Sequence, residues 1–237
     1  MAHLQQSDIR NRLLKAMTSD DFGRMQPHLQ IVDLPLKYVL IEPDVSVMHL
    51  YFLESGISST TLKGAAGHVE VGLAGWEGLS GAVPVLLGND RIPHDTFMQL
   101  AGQGLRIRTE ALRAAVEESP SMRKLLLSYV QTEFVQARQT AYVNATYTTE
   151  LRLARWLLMC HDRVDGDELL VKHEFLAVML GVQRTGVTLA LQVLEGAGRI
   201  RGRRGRITVT NRELLEQVAG DSYGAAEAEY ARLIEGA

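Results

Sequence analysis

The 237-residue sequence predicts an α+β protein in three parts: an antiparallel β-roll, a long helix and a C-terminal winged helix-turn-helix. Three observations predict it. Between residues 30 and 108, short runs with apolar residues at every second position are broken by glycine, proline and asparagine, as in antiparallel strands. From 120 to 144 the apolar residues step by three and four, which is the period of one long helix. From 170 to 212, two short helical segments meet at a tight glycine turn and lead into an arginine-rich hairpin.

The composition, 46% hydrophobic and 22% charged, is that of a soluble globular chain long enough for two domains of ordinary size. No apolar run approaches the roughly 20 residues needed to cross a bilayer. The start, MAHLQQSDIRNRLLKAM, lacks a secretory apolar segment, so the expectation is a cytoplasmic protein with no membrane partner. The one cysteine, Cys160, excludes an intramolecular disulfide and cannot alone hold zinc or an iron-sulfur cluster. Within Trp156-Leu157-Leu158-Met159-Cys160 it reads as a buried core thiol rather than a redox switch. Seven histidines show no paired ligand spacing, and no metal or cofactor is expected.

In chain order, residues 8–17 form an amphipathic helix with Ile9, Leu13, Leu14 and Met17 on one side, and 19–25 a second short helix. Strand candidates follow. Val39 and Ile41 alternate with Leu40, 49–53 is a strand, Val69, Val71 and Leu73 alternate with Glu70 and Gly72, and 96–100 and 105–108 continue the series. Residues 1–118 therefore form a helical lead-in and β-roll, 119–148 a long helix and hinge, 149–212 the winged helix-turn-helix, and 213–237 an acidic helical extension on it. On the long helix Leu127, Val130, Phe134, Ala137 and Ala141 form a coiled-coil seam, while Met122, Leu126 and Tyr129 form a second stripe. One stripe can face the β-roll and the other a second copy of the chain. The alternative is a single helix that covers only its own core.

The helix-turn-helix needs a small residue where its helices cross, a residue tolerant of positive φ at the turn, and an aliphatic plug on the second helix. Ala177, Gly181 and Val187 fill these places in that order. The second helix, 183–194, leaves Gln183, Arg184, Thr185 and Thr188 on its outer side, a set suited to base edges: an arginine fork pairs with guanine and a glutamine with adenine. Between 183 and 212 there are seven arginines against one acid, Glu195, in a chain of net charge −3, which points to a polyanion. Arg201, Arg203, Arg204 and Arg206 occupy the hairpin, or wing, and together with His173 are candidates for phosphates.

The order of parts, with HEFLAVMLGVQRTGVTLALQVLEGAGRI and PLKYVLIEPDVSVMHLYFLESG, resembles the cyclic-AMP receptor protein/FNR family of bacterial transcription regulators over nearly the whole chain. The resemblance implies a cyclic-nucleotide-binding-like β-roll, a homodimer on near-palindromic double-stranded DNA, contact with RNA polymerase, and Arg184 as the base-reading arginine beside Gln183. Two departures stand out. Thr185 and Leu189 replace the family's glutamate and second basic residue, so its usual operator does not transfer. In the effector pocket Gly81 keeps the glycine, Ala82 stands where the glutamate would take the ribose hydroxyl, and Arg91 is followed by Ile92 and Pro93 rather than a hydroxyl donor. Cyclic AMP is therefore not the expected effector, which is left unknown. Four cysteines for an FNR-type cluster are lacking. The alternative function is a small-molecule sensor with a vestigial DNA-binding half. Gly78-Leu79-Ser80-Gly81-Ala82 misses the nucleophile elbow by its last residue, and no enzyme is expected.

Overall fold

The protein is seen in a computed structural model that describes residues 4–64 and 67–236. It divides into two compact units, one made of the chain up to Thr60, Leu73–Phe134 and the segment from Glu229 on, the other of Thr61–Gly72 and Val135–Ala228.

The first unit opens with α1 (Arg12–Ala16) and α2 (Ser19–Met25), each begun by a side-chain cap. The Asn11 Oδ1 accepts from the Leu14 amide at 3.1 Å, and Thr18 Oγ1 accepts from that of Asp21 at 3.1 Å. The helix expected over 8–17 is thus shorter, because Asn11 serves as its cap. The Asn11 amide group also donates to the Leu53 and Gly78 carbonyls at 3.0 and 2.8 Å, which fixes it there. Ile9, Leu13, Leu14 and Met17 are all buried, as the amphipathic pattern requires.

Next come β1 (Gln30–Leu34), β2 (Val39–Ile41), β3 (His49–Leu53), β4 (Ile57–Gly64), β5 (Gly67–Ala74) and β6 (Leu79–Ser80). They are followed by α3 (Ala82–Leu86), β7 (Asp95–Leu100), β8 (Gly102–Arg108) and α4 (Thr109–Glu118). Two four-stranded sheets result, in the orders β1-β8-β3-β6 and β2-β7-β4-β5. In the first, Leu50 and Phe52 of β3 lie opposite Ile107 and Leu105 of antiparallel β8, and all four are buried. The expected alternation in β2 is corrected. A bulge between Val39 and Ile41 resets the register, so Leu40 and Ile41 both face inward and Val39 stays 49% exposed.

The long helix, α5 (Pro120–Thr146), starts where Ser119 Oγ accepts from the Met122 amide at 3.1 Å and Pro120 presets the first helical φ. Met122, Leu126 and Tyr129 enter the first unit's core. Val130, expected in the partner-facing seam, enters it too, because it lies four residues after Leu126 and shares its face. Leu127, Phe134, Ala137 and Ala141 remain exposed along the other side.

The second unit comprises the rest of α5, then α6 (Thr149–His161), β9 (Glu168–Leu169), α7 (His173–Leu180), α8 (Arg184–Gly196), β10 (Ile200–Arg203), β11 (Arg206–Val209), α9 (Arg212–Ala219) and most of α10 (Ala225–Tyr230). Leu153, Leu157, Leu158 and Cys160 of α6 are fully buried at the centre of this unit. Its strands form a sheet in the order β10-β11-β9. The described residues 61–64 of β4 and 67–72 of β5 also belong here. Glu70, expected on the outer face of its strand, is buried and accepts from Trp156 Nε1 at 2.7 Å. The acidic tail, expected wholly on this unit, contributes α9 to it, whereas Tyr230 and Ile234 belong to the first unit's core.

Candidate nucleic-acid interface

The helix pair α7 and α8 bends through 107°, within the range of helix-turn-helix motifs. Gly181 makes the turn. With φ +60 it sits in the left-handed region, its N–H donates to the Val178 carbonyl at 3.1 Å, and the next N–H, of Val182, donates to Ala177 at 3.0 Å. A side chain there would also strike a neighbour, since an added Cβ would lie 3.0 Å from Val69 Cγ2. Ala177 is half-buried and Val187 fully buried with Leu191 and Leu194, so α8 is anchored along one face and open along the other.

On the open face Gln183, Arg184 and Thr185 are exposed at the start of α8. The Thr188 hydroxyl donates to the Arg184 carbonyl at 3.1 Å. The Arg184 guanidinium lies 3.1 Å from Glu174 on α7, with more than half of each side chain in solvent. Glu174's own backbone amide and the Arg184 charge hold its carboxyl below the ordinary range.

The wing is the β10–β11 hairpin, where Arg203 and Arg206 close a turn carrying Gly205 at φ +72. Glu195, the single acid of the basic stretch, accepts from the Gly202 amide at 2.9 Å and so ties the wing to α8. The arginines are not equivalent. Arg206 pairs with Glu168 at 2.9 Å, Arg199 lies 4.0 Å from Glu150, and Arg212 pairs with Asp162 and Glu216, both at 2.8 Å. Among the described residues Arg201, Arg203 and Arg204 have no ion-pair partner. The count of seven therefore overstated the free charge, because acids distant in sequence return to four of the arginines.

A cleft of about 1000 Å³ opens between α7, α8 and the wing, lined by Lys172, His173, Arg184, Thr188, Gln192 and Arg203 among others. Of the expected site residues, His173, Arg184, Thr188, Arg203 and Arg204 meet at this cleft, while Gln183, Thr185, Arg201 and Arg206 lie outside it. Lys172 and Gln192 were not foreseen. The spacing held a signal for Gln192, which follows Thr188 by one turn.

The residues expected at an effector pocket, Gly81, Ala82 and Arg91, lie in the first unit. Gly81, at φ +91, opens α3, and an added Cβ there would come within 3.1 and 3.3 Å of Ile41 and Val47. Ala82 is buried among apolar neighbours. Arg91 is spent on the adjacent residue, with its Nε 3.0 Å from Asp90 Oδ1. The hydrogen bonds from Arg91 and from Ser46 hold the Asp90 carboxyl down at about 2.

Residues 151–218 match the Crp-like helix-turn-helix domain. No curated protein sequence matches the chain. FixK2 from Bradyrhizobium japonicum has a similar structure, with a TM-score of 0.70 at 14% identity over 81% of this chain and 98% of that one. A CRP-family transcriptional regulator from Thermus thermophilus gives 0.67 at 17% identity over 82% and 99%. CLP, a c-di-GMP-responsive global regulator from Xanthomonas campestris, gives 0.63 at 16% over 82% and 100%. At such identities the likeness is one of fold. Residues 151–218 are thus a Crp-like helix-turn-helix domain, carried in a chain that folds as the Crp/Fnr transcription regulators do.

Proposed function

We propose that the chain is a sequence-specific, DNA-binding transcription regulator that acts as a homodimer on near-palindromic sites without cyclic AMP. The observation that carries this is the cleft, where the exposed first turn of α8 stands beside Arg203 and Arg204 of the wing, which have no ion-pair partner among the described residues. Arg184 supplies a fork for guanine O6 and N7, and Gln183, Thr185 and Thr188 flank it. His173, Arg201, Arg203, Arg204 and Arg206 supply phosphate contacts that set the register. The Glu174 pair holds Arg184 in place until a base replaces the carboxylate, and an exposed pair of this kind costs little to open.

Dimerisation draws support from the exposed apolar line Leu127, Phe134, Ala137 and Ala141, which steps by seven, three and four along α5. Independence from cyclic AMP draws support from Ala82, which offers no acceptor, and from Arg91, already paired with Asp90. A regulator of this kind works in the cytoplasm and contacts RNA polymerase.

The test is an unbiased DNA selection at moderate salt. A near-palindromic site should emerge, with half-site centres one helical turn apart and affinity falling steeply with salt. Arg184→Ala should weaken binding by about 1–3 kcal/mol and relax one position per half-site. Equal binding to selected and random DNA would refute the proposal.

A further inference from the structure

The outer face of α8 carries two parallel ridges. Arg184, Thr188 and Gln192 line the cleft shared with the wing, whereas Thr185, Leu189 and Val193, also one turn apart, lie outside it. Leu189 is 63% exposed and Val193 50%, while Val187, Ala190, Leu191 and Leu194 already serve the core. A lone exposed leucine on a surface is ordinary. This one stands one turn after Thr185, in the part of the helix that faces outward beside Arg184. Its ridge, Thr185, Leu189 and Val193, carries no charged residue. Among the described residues the wing arginines Arg201, Arg203 and Arg204 have no ion-pair partner, which fits the neighbouring wing to a polyanion. Among the edges that bases present in the major groove, the apolar group is the C5-methyl of a pyrimidine.

We infer that Leu189 reads a pyrimidine C5-methyl group, that of thymine or of 5-methylcytosine, at one position of each half-site. The inference rests on the DNA-reading role proposed above and gives it a specificity determinant. An arginine at this place would donate to a guanine, whereas the leucine rewards only the burial of an apolar group. The methyl is therefore what distinguishes a good site from a poor one at that position. Thr188, with its hydroxyl already given to the Arg184 carbonyl, is a weaker polar competitor on the adjoining ridge.

The experiment uses the full-length protein and the site obtained by selection, with each thymine replaced in turn by deoxyuridine and affinity read by fluorescence anisotropy. At one position per half-site the loss of the methyl should weaken wild-type binding about fourfold, and about fifteenfold when both half-sites are changed. Leu189→Ala should bind the thymine and deoxyuridine sites equally, and Leu189→Met should keep the wild-type preference. The residue is exposed, so neither substitution threatens the fold. Placing cytosine and 5-methylcytosine at the same position separates the two sources. Tightest binding to thymine assigns thymine, and tightest binding to 5-methylcytosine assigns the methylated base. The inference is overturned if no deoxyuridine weakens binding, or if the penalty persists unchanged in Leu189→Ala. A selection that yields no preferred site would instead defeat the regulator reading, whereas an Arg184-dependent site that is indifferent to deoxyuridine would defeat only the role of Leu189.

Discussion

Glu133 on α5 sits one turn after Tyr129, whose hydroxyl donates to its Oε1 at 3.2 Å. Burial, offset in part by that hydrogen bond and reinforced by the charge of Glu77, pushes its carboxyl from 4.5 up to about 7. Between those values the folded protein holds a proton that the unfolded chain has released. Stability from this group is therefore fully present below about 4.5 and is lost as pH rises through 7. At about 1.4 kcal/mol per pK unit the loss is at most about 3.5 kcal/mol. Glu133 keeps part of its surface in water, so we expect about 1–3 kcal/mol. Glu133→Gln removes the titration and retains an acceptor for Tyr129. The variant should match wild type at pH 4.5 and exceed it by that amount at pH 8 in urea unfolding. Trp76 lies in the unit that contains Glu133 and Trp156 in the other, so a Trp156→Phe background isolates the relevant transition. Parallel pH profiles for variant and parent, or a variant less stable at pH 8, would refute the reasoning.

Two further outcomes follow from the packing. Asn11→Ala removes the α1 cap and both hydrogen bonds to buried carbonyls, and should cost about 2–4 kcal/mol in the same assay, with Asn11→Asp intermediate because it keeps the cap. Gly186→Ala should stabilise α8 by about 0.5–1 kcal/mol, because the added Cβ would meet only Thr149 Cγ2 at 4.0 Å; a loss on thermal melting would count against that reading.

The helix-turn-helix was legible because its determinants are local. The alternation of buried and exposed positions, the turn glycine and the plug at Val187 all fall within a few residues of one another, at the junction of α7 and α8. Strand β4 was missed because ISSTTLKG offers almost no apolar alternation. Its buried Ser58 and Thr61 are accommodated through hydrogen bonding, as between Ser58 and Ser80 at 3.0 Å, and such partners lie far off in sequence. The same distance hid the burial of Glu70, whose donor Trp156 lies 86 residues away. It also hid the neutralised arginines, since Glu150, Asp162, Glu168 and Glu174 all precede the basic stretch. Val130 was misplaced because steps of three and four assign a residue equally well to two adjoining stripes of one helix.

Glu195 accepts from the Gly202 amide and so joins α8 to the wing at a set separation. A helix and a hairpin held this way act as a caliper. On the reading proposed here, the width of the groove between them becomes a property that DNA must match or be bent to match. Sequences that adopt that width at little cost then bind better, even at base pairs no side chain touches.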